Sequence, residues 1–170
     1  SPTGGAFGSF MFGVGATDMA GVLVTGETWI KTPATIQVDI DGELGAGLSA
    51  KDIILHLCSR IGMGGAEYQV IEYGGETVDT MSMTERMTLS NMAAELGAQA
   101  GLIAADATTT AYIEAAGGNP GDPSKWQSDA DATFLRTHKV DASALEPHVA
   151  APHSPANSAP IDDHSKVTID

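Results

Sequence analysis

The feature that most narrows the possible folds is an alternation, along the middle of the chain, of short β-type runs with strongly capped helical segments. Thr35-Ile36-Gln37-Val38-Asp39-Ile40 alternates with period two and ends at Asp41-Gly42, which predicts a strand with one buried face followed by a turn. Ser49 then opens a helix. Asp52 falls in its first turn, Leu48 and Ile53 can staple across its entry, and Ile53, Ile54, Leu57 and Ile61 share a stripe before Gly62. Residues 68–73 predict a second strand closed by Gly74-Gly75, and Ser82 with Glu85 forms a capping box for a helix through Met83, Met87, Met92 and Leu96 towards Gly97. Residues 102–105 suit a third, fully buried strand, residues 108–116 a helix, and residues 134–140 a final strand. Strands separated by helices pair in parallel rather than as hairpins. The expected fold is therefore α/β, a three-layer α/β/α domain around a mainly parallel sheet.

The flanks differ from this middle. Residues 1–15 mix five glycines with Phe7, Phe10, Met11, Phe12 and Val14, a pattern too apolar for a solvent loop and expected to be buried and closely packed. Residues 17–26 predict a short helix with Thr17 or Asp18 as N-cap and Gly26 as terminator. Beyond Ala144 the chain turns to Pro147, Pro152, Pro155 and Pro160 among Ala, Ser, Asn and His, which reads as an extended linker with no packed element of its own. The division expected is a domain over 1–145 and a Pro-rich linker over 146–170. Ser1 stands where an initiator methionine would, so the chain is expected to be processed or a piece of a longer one.

Composition removes whole classes of function. With 170 residues, 42% of them hydrophobic, one core is within reach, and no run approaches the roughly 18 apolar residues of a membrane span. The formal charge is −14, from 22 acids against 8 bases. Phosphate neutralisation needs a basic patch, so nucleic acid and anionic membrane surfaces are disfavoured as partners. The single cysteine, Cys58, excludes an intramolecular disulfide and a cysteine cage; it is expected to be a buried inert thiol in a reducing, cytoplasmic setting.

Few constellations could carry chemistry. Gly13-Val14-Gly15 begins like a dinucleotide fingerprint, but Asp18 occupies the third glycine position and would repel a pyrophosphate. His148, His153 and His164 match no established metal spacing, and solvated linker histidines are the simpler account. Asn91 and Glu95 lie four residues apart on one predicted helix and so are expected to project from one face, among the small neighbours Ala93, Ala94, Gly97 and Ala98. Spacing alone leaves open whether they form a solvated face or a functional pair.

At this helix the chain resembles a known family. Residues 81–101 are similar to the large subunits of 3-isopropylmalate dehydratase and homoaconitase in the aconitase superfamily. Five further stretches agree in order: Gly4–Gly8, Gly13–Gly21, Trp29–Pro33, Ala50–Leu55, and Leu145–Pro147 with Pro152–Pro155. The resemblance implies an aconitase-like domain of a hydro-lyase that removes water from a 2-hydroxy-polycarboxylate and restores it on the neighbouring carbon. It implies a [4Fe-4S] cluster in the full enzyme, none of it bound by this chain alone, because the family's cluster cysteines lie downstream of residue 170 and its Asp-Ser-His motif would precede Ser1. By the same resemblance Asn91 belongs to the hydrogen-bond network behind the cluster. Glu95 would bond to the water or hydroxyl held there and to its histidine partner, and Thr3 stands at a substrate-binding position where aconitases proper carry asparagine. The implied partners are a polycarboxylate substrate, the remaining large-subunit domains and a small subunit. Homoaconitase or aconitase activity is the alternative within the family, and a non-catalytic binding or scaffold module is the alternative outside it. An autonomous enzyme using tail histidines for a metal ranks last.

Overall fold

The computed structural model describes residues 2–164. Four parallel strands, β1 (Thr35–Asp41), β2 (Val70–Gly74), β3 (Ala100–Ile103) and β4 (Arg136–Asp141), form one sheet in the order β3-β2-β1-β4. The helices are α1 (Ala16–Thr25), α2 (Ala50–Ile61), α3 (Glu76–Thr80), α4 (Met83–Met92) and α5 (Ala107–Ala115). The connections through α2 and through α3–α4 step outward from β1, whereas the connection through α5 returns across the sheet to β4. Right-handed crossovers therefore place α2 and α4 on one face and α5 on the other, the layering expected from the sequence.

The strand alternation decides which face is the core. Ile36, Val38 and Ile40 are fully buried while Thr35, Gln37 and Asp39 are half-buried. In register with the buried set stand Ile71 and Tyr73 on β2, Gly101 and Ile103 on β3, and Val140 on β4. Against this face pack Ile53, Ile54, Leu57 and Cys58 of α2 and Leu89 of α4. Gly101 is required here: a β-carbon on it would lie 2.7 Å from the Ala93 Cβ and 3.1 Å from the Ser90 Cα.

Several local expectations shift. Of the N-terminal glycine-rich stretch only Gly5 and Ala6 are buried, inside a 3-10 turn over Pro2–Phe7; Phe10, Met11 and Val14 are exposed. α1 starts at Ala16 with Gly15 in the cap position and no side-chain cap, so neither Thr17 nor Asp18 caps it, and none of its residues is buried. Gly26 ends it with φ 74°, as its position suggested. β3 begins two residues earlier than expected because Gly97, at φ 83°, turns the chain at once into Ala100 opposite Val70. α3 has no sequence counterpart in the expectation; it is one short turn after Gly75, whose φ is 98°.

The Pro-rich segment is also more ordered than a linker needs to be. β5 (His148–Ala150) pairs antiparallel with β6 (Ser158–Pro160), and the pair lies against α2. Two contacts distant in sequence hold it there: the His148 amide donates to Asp52 Oδ1 at 3.0 Å, and the His148 ring meets the His56 ring edge-on at 5.3 Å.

Candidate functional site

The entry of α4 is fixed by its own sequence. Glu85 Oε2 accepts from the Ser82 amide at 3.0 Å and from its hydroxyl at 2.8 Å, closing the expected capping box. One residue on, Arg86 is 1% exposed, and its Nη2 donates to the Asp79 carbonyl at 3.1 Å and to Asp106 Oδ2 at 2.7 Å. Asp106 in turn caps α5 by accepting from the Thr109 amide at 3.0 Å. Burial pushes the Asp106 carboxyl up, yet the bonds from Arg86 and Thr109 outweigh it and hold the group below its ordinary value. Arg86 thus ties α4 to both neighbouring helices.

The Pro2–Phe7 turn then lies across α4 and β3, close enough that a β-carbon on Gly5 would run into the Gly101 carbonyl. This brings Thr3 beside the exposed side of α4. Thr3, Asn91, Thr84, Thr88, Met87 and Met92 line an open cavity of about 550 Å³, and the ammonium-bearing side chain of Lys51, from the start of α2, completes its wall. Thr3, from the start of the sequence, and Asn91, from its middle, meet there.

Glu95 does not line that cavity. The α-helix stops at Met92 and continues as a 3-10 turn, Ala93–Leu96, whose three residues per turn carry Glu95 off the stripe of Asn91. The expectation that both project from one face of one α-helix is corrected accordingly. Glu95 is half-buried, and its charge reaches Cys58: the thiol is pushed up to about 11, first by burial and then by Glu95.

A second cavity, of about 350 Å³, opens at the carboxyl ends of β2 and β3, where open α/β sheets usually take ligands. Its walls carry Glu72, Asp79 and Asp106, and its one cation, Arg86, is already paired with Asp106. Three carboxylates make it a poor receptor for a polycarboxylate. The Thr3–Asn91 cavity has no acid in its lining.

A family model described as "Aconitase family (aconitate hydratase)" matches residues 1–169. The chain belongs to the aconitase family. It is 45% identical over 168 residues to the 3-isopropylmalate dehydratase large subunit of Halothermothrix orenii, covering 99% of this chain and 40% of that protein. It is 46% identical to the methanogen homoaconitase large subunit of Methanocaldococcus jannaschii, over 95% of this chain and 40% of that protein. To the chloroplastic 3-isopropylmalate dehydratase large subunit of Arabidopsis thaliana it is 44% identical, over 99% of this chain and 33% of that protein. The chain spans about two-fifths of the length of the curated relatives it matches.

Aconitase-family enzymes are generally iron–sulfur proteins, and the described residues of this chain do not fit as cluster ligands. Cys58 is wholly buried in the core between α2 and the sheet, with its thiol held far from the thiolate that iron needs. Among the described residues no three His, Cys, Asp or Glu side chains converge as a metal site. His148 is turned inward on His56, with its Nδ1 2.6 Å from the Glu146 carbonyl. No helix among the described residues is long and apolar enough to cross a membrane.

Sequence reasoning found Thr3 and Asn91 but passed over Lys51 and Arg86. Arg86 carries no sequence signal that separates it from a surface arginine. Lys51 does carry one: a cation at the second position of a capped helix sits against the helix dipole.

Proposed function

We propose that this chain is part of a hydro-lyase of the 3-isopropylmalate dehydratase type, supplying one wall of an active site completed by the rest of the large subunit and by a small subunit. Residues 1–145 make the α/β domain, and the Pro-rich 146–170, whose β5–β6 pair packs on α2, joins it to the remaining domains. A cytoplasmic location goes with this reading. The convergence of Thr3 and Asn91 on one acid-free cavity is the observation that carries it.

The reaction breaks a C–H and a C–O bond, forms a C=C bond, releases water, and then adds water back with the hydroxyl on the neighbouring carbon. Departure of hydroxide requires a proton, and a positioned carboxyl group can hold one. We assign that part to Glu95, which stands outside the lining of this cavity and so acts only where the rest of the enzyme extends the site past the end of α4, with Asn91 and Thr3 orienting the substrate through neutral polar contacts. Cys58 does not fit as a cluster ligand, so we assign the Lewis-acid chemistry to residues outside this chain.

Glu95→Gln in the assembled enzyme tests this. The amide keeps the shape and loses the proton, so kcat for 3-isopropylmalate isomerisation falls by about 10²–10⁴-fold while the folded protein accumulates normally. Unchanged turnover would favour a scaffold module in which Glu95 is only a structural acid. A homoaconitase-type substrate is the second reading within the family, favoured by the likeness to the Methanocaldococcus jannaschii protein.

A further inference from the structure

We propose that Lys51 is the cationic anchor through which this cavity holds a carboxylate of the substrate; the assignment rests on the hydro-lyase reading above. Lys51 is exposed and is the one charged side chain in the wall that Thr3 and Asn91 share. The acids nearest to it in their elements are engaged elsewhere. Asp52 Oδ2 accepts from the Ser49 amide and hydroxyl at 2.9 and 3.0 Å and its Oδ1 from His148, while Glu85 caps α4 through Ser82. The Lys51 side chain makes no hydrogen bond or ion pair among the described residues, where Arg86 with Asp106 is the only ion pair.

Local structure gives no reason for a lysine at this position. It is the second residue of α2, after Ser49 and Ala50, where the helix N-terminus carries partial positive charge and an acid is preferred. Its charge opposes helix formation, and no acid among the described residues forms an ion pair with it. A ligand carboxylate in the cavity would reverse that balance, since it would meet the ammonium and the positive end of α2 together. In a chain of net charge −14, an unpaired cation beside a cavity with no acid in its lining is also where an anion would be drawn. Thr84 and Asn91 add neutral polar groups, which suit a carboxylate better than a phosphoryl group needing several cations.

The test uses the assembled enzyme and two readouts, steady-state kinetics and calorimetric binding of 3-isopropylmalate. Lys51→Met raises KM and weakens binding by about tenfold or more, with kcat changed by less than about threefold. Lys51→Glu weakens binding further, and because an acid suits this helix position, its Tm equals or exceeds that of the parent. Lys51→Arg restores most of the affinity, and the salt dependence of binding is shallower in Lys51→Met than in the parent. A purely structural lysine would instead lower Tm in both Lys51→Met and Lys51→Glu and leave the affinity and its salt dependence alone. Parent turnover with Lys51→Glu binding as tightly as the parent overturns the assignment and leaves the hydro-lyase reading standing. A parent enzyme that binds 3-isopropylmalate through Lys51 without turning it over overturns that reading and keeps the anchor; one that neither binds nor turns it over overturns both.

Discussion

Replacing Gly101 with alanine tests the packing that holds α4, and with it the candidate site, against the sheet. The new β-carbon would lie 2.7 Å from the Ala93 Cβ, 3.0 Å from the Tyr73 Cε2 and 3.1 Å from the Ser90 Cα. Carbon pairs prefer about 3.5–4.0 Å, so each contact is short by on the order of half an ångström or more. None of the three is the free end of a flexible side chain: Ser90 and Ala93 belong to the backbone run that carries Asn91 and Glu95, and Tyr73 is a buried ring in β2. Relief requires the α4 segment to move off β3, at the overpacking cost of about 1–3 kcal/mol. For a chain of this length that lowers Tm by roughly 2–12 °C. Thermal and urea unfolding of the 170-residue chain, followed by far-ultraviolet circular dichroism, measures it. Adding Ala93→Gly removes the tightest contact, so the double variant should cost less than the sum of the single variants by on the order of 1 kcal/mol. A Tm within about 1 °C of the parent, or strictly additive costs, would refute the close-approach account.

Other consequences follow from the polar groups around the core. Asp106→Ala strands the buried Arg86 guanidinium and removes the α5 cap, which should cost about 3–5 kcal/mol in urea unfolding, whereas Asp106→Asn keeps a capping oxygen and costs less. His56 is held below its ordinary 6.5 by burial first, then by His148 and Arg60, so the unfolded chain binds a proton before the folded one does. Stability should therefore fall as pH drops below 6.5 towards the folded value, and His56→Gln should flatten that part of the stability–pH profile. Asp106 and Asp52 have linkage of the same sign in a lower pH window: their folded values lie below the ordinary 3.8, so their contribution is complete above it and is lost only in stronger acid.

The parts of the fold that were legible in the sequence are those whose chemistry is local. The period-two burial of β1, the Ser49 cap, the Ser82–Glu85 capping box and the glycine terminators at Gly26, Gly62 and Gly97 follow from residues within one or two turns of each other. What escaped depends on contacts between distant segments. The turn over Pro2–Phe7 is placed by the fit of Gly5 onto Gly101, and the β5–β6 pair by the bond from His148 to Asp52; neither leaves a pattern in its own stretch. The change from α to 3-10 geometry at Ala93 occurs where small side chains let β3 approach, so the spacing of Asn91 and Glu95 overstated how closely they align. The site was half legible for the same reason: residue types along α4 pointed to it, while the lysine across the cavity comes from another helix.

The position of bound substrate relative to this wall is the most direct test. In a crystal structure of the assembled enzyme with 3-isopropylmalate bound, a substrate carboxylate should sit within about 3.2 Å of Lys51 Nζ, and another polar group of the substrate within the same reach of the Asn91 amide. Substrate seated instead at the carboxyl ends of β2 and β3, beside Arg86 and Asp106, or with no contact to the Thr3–Asn91 wall, would contradict it.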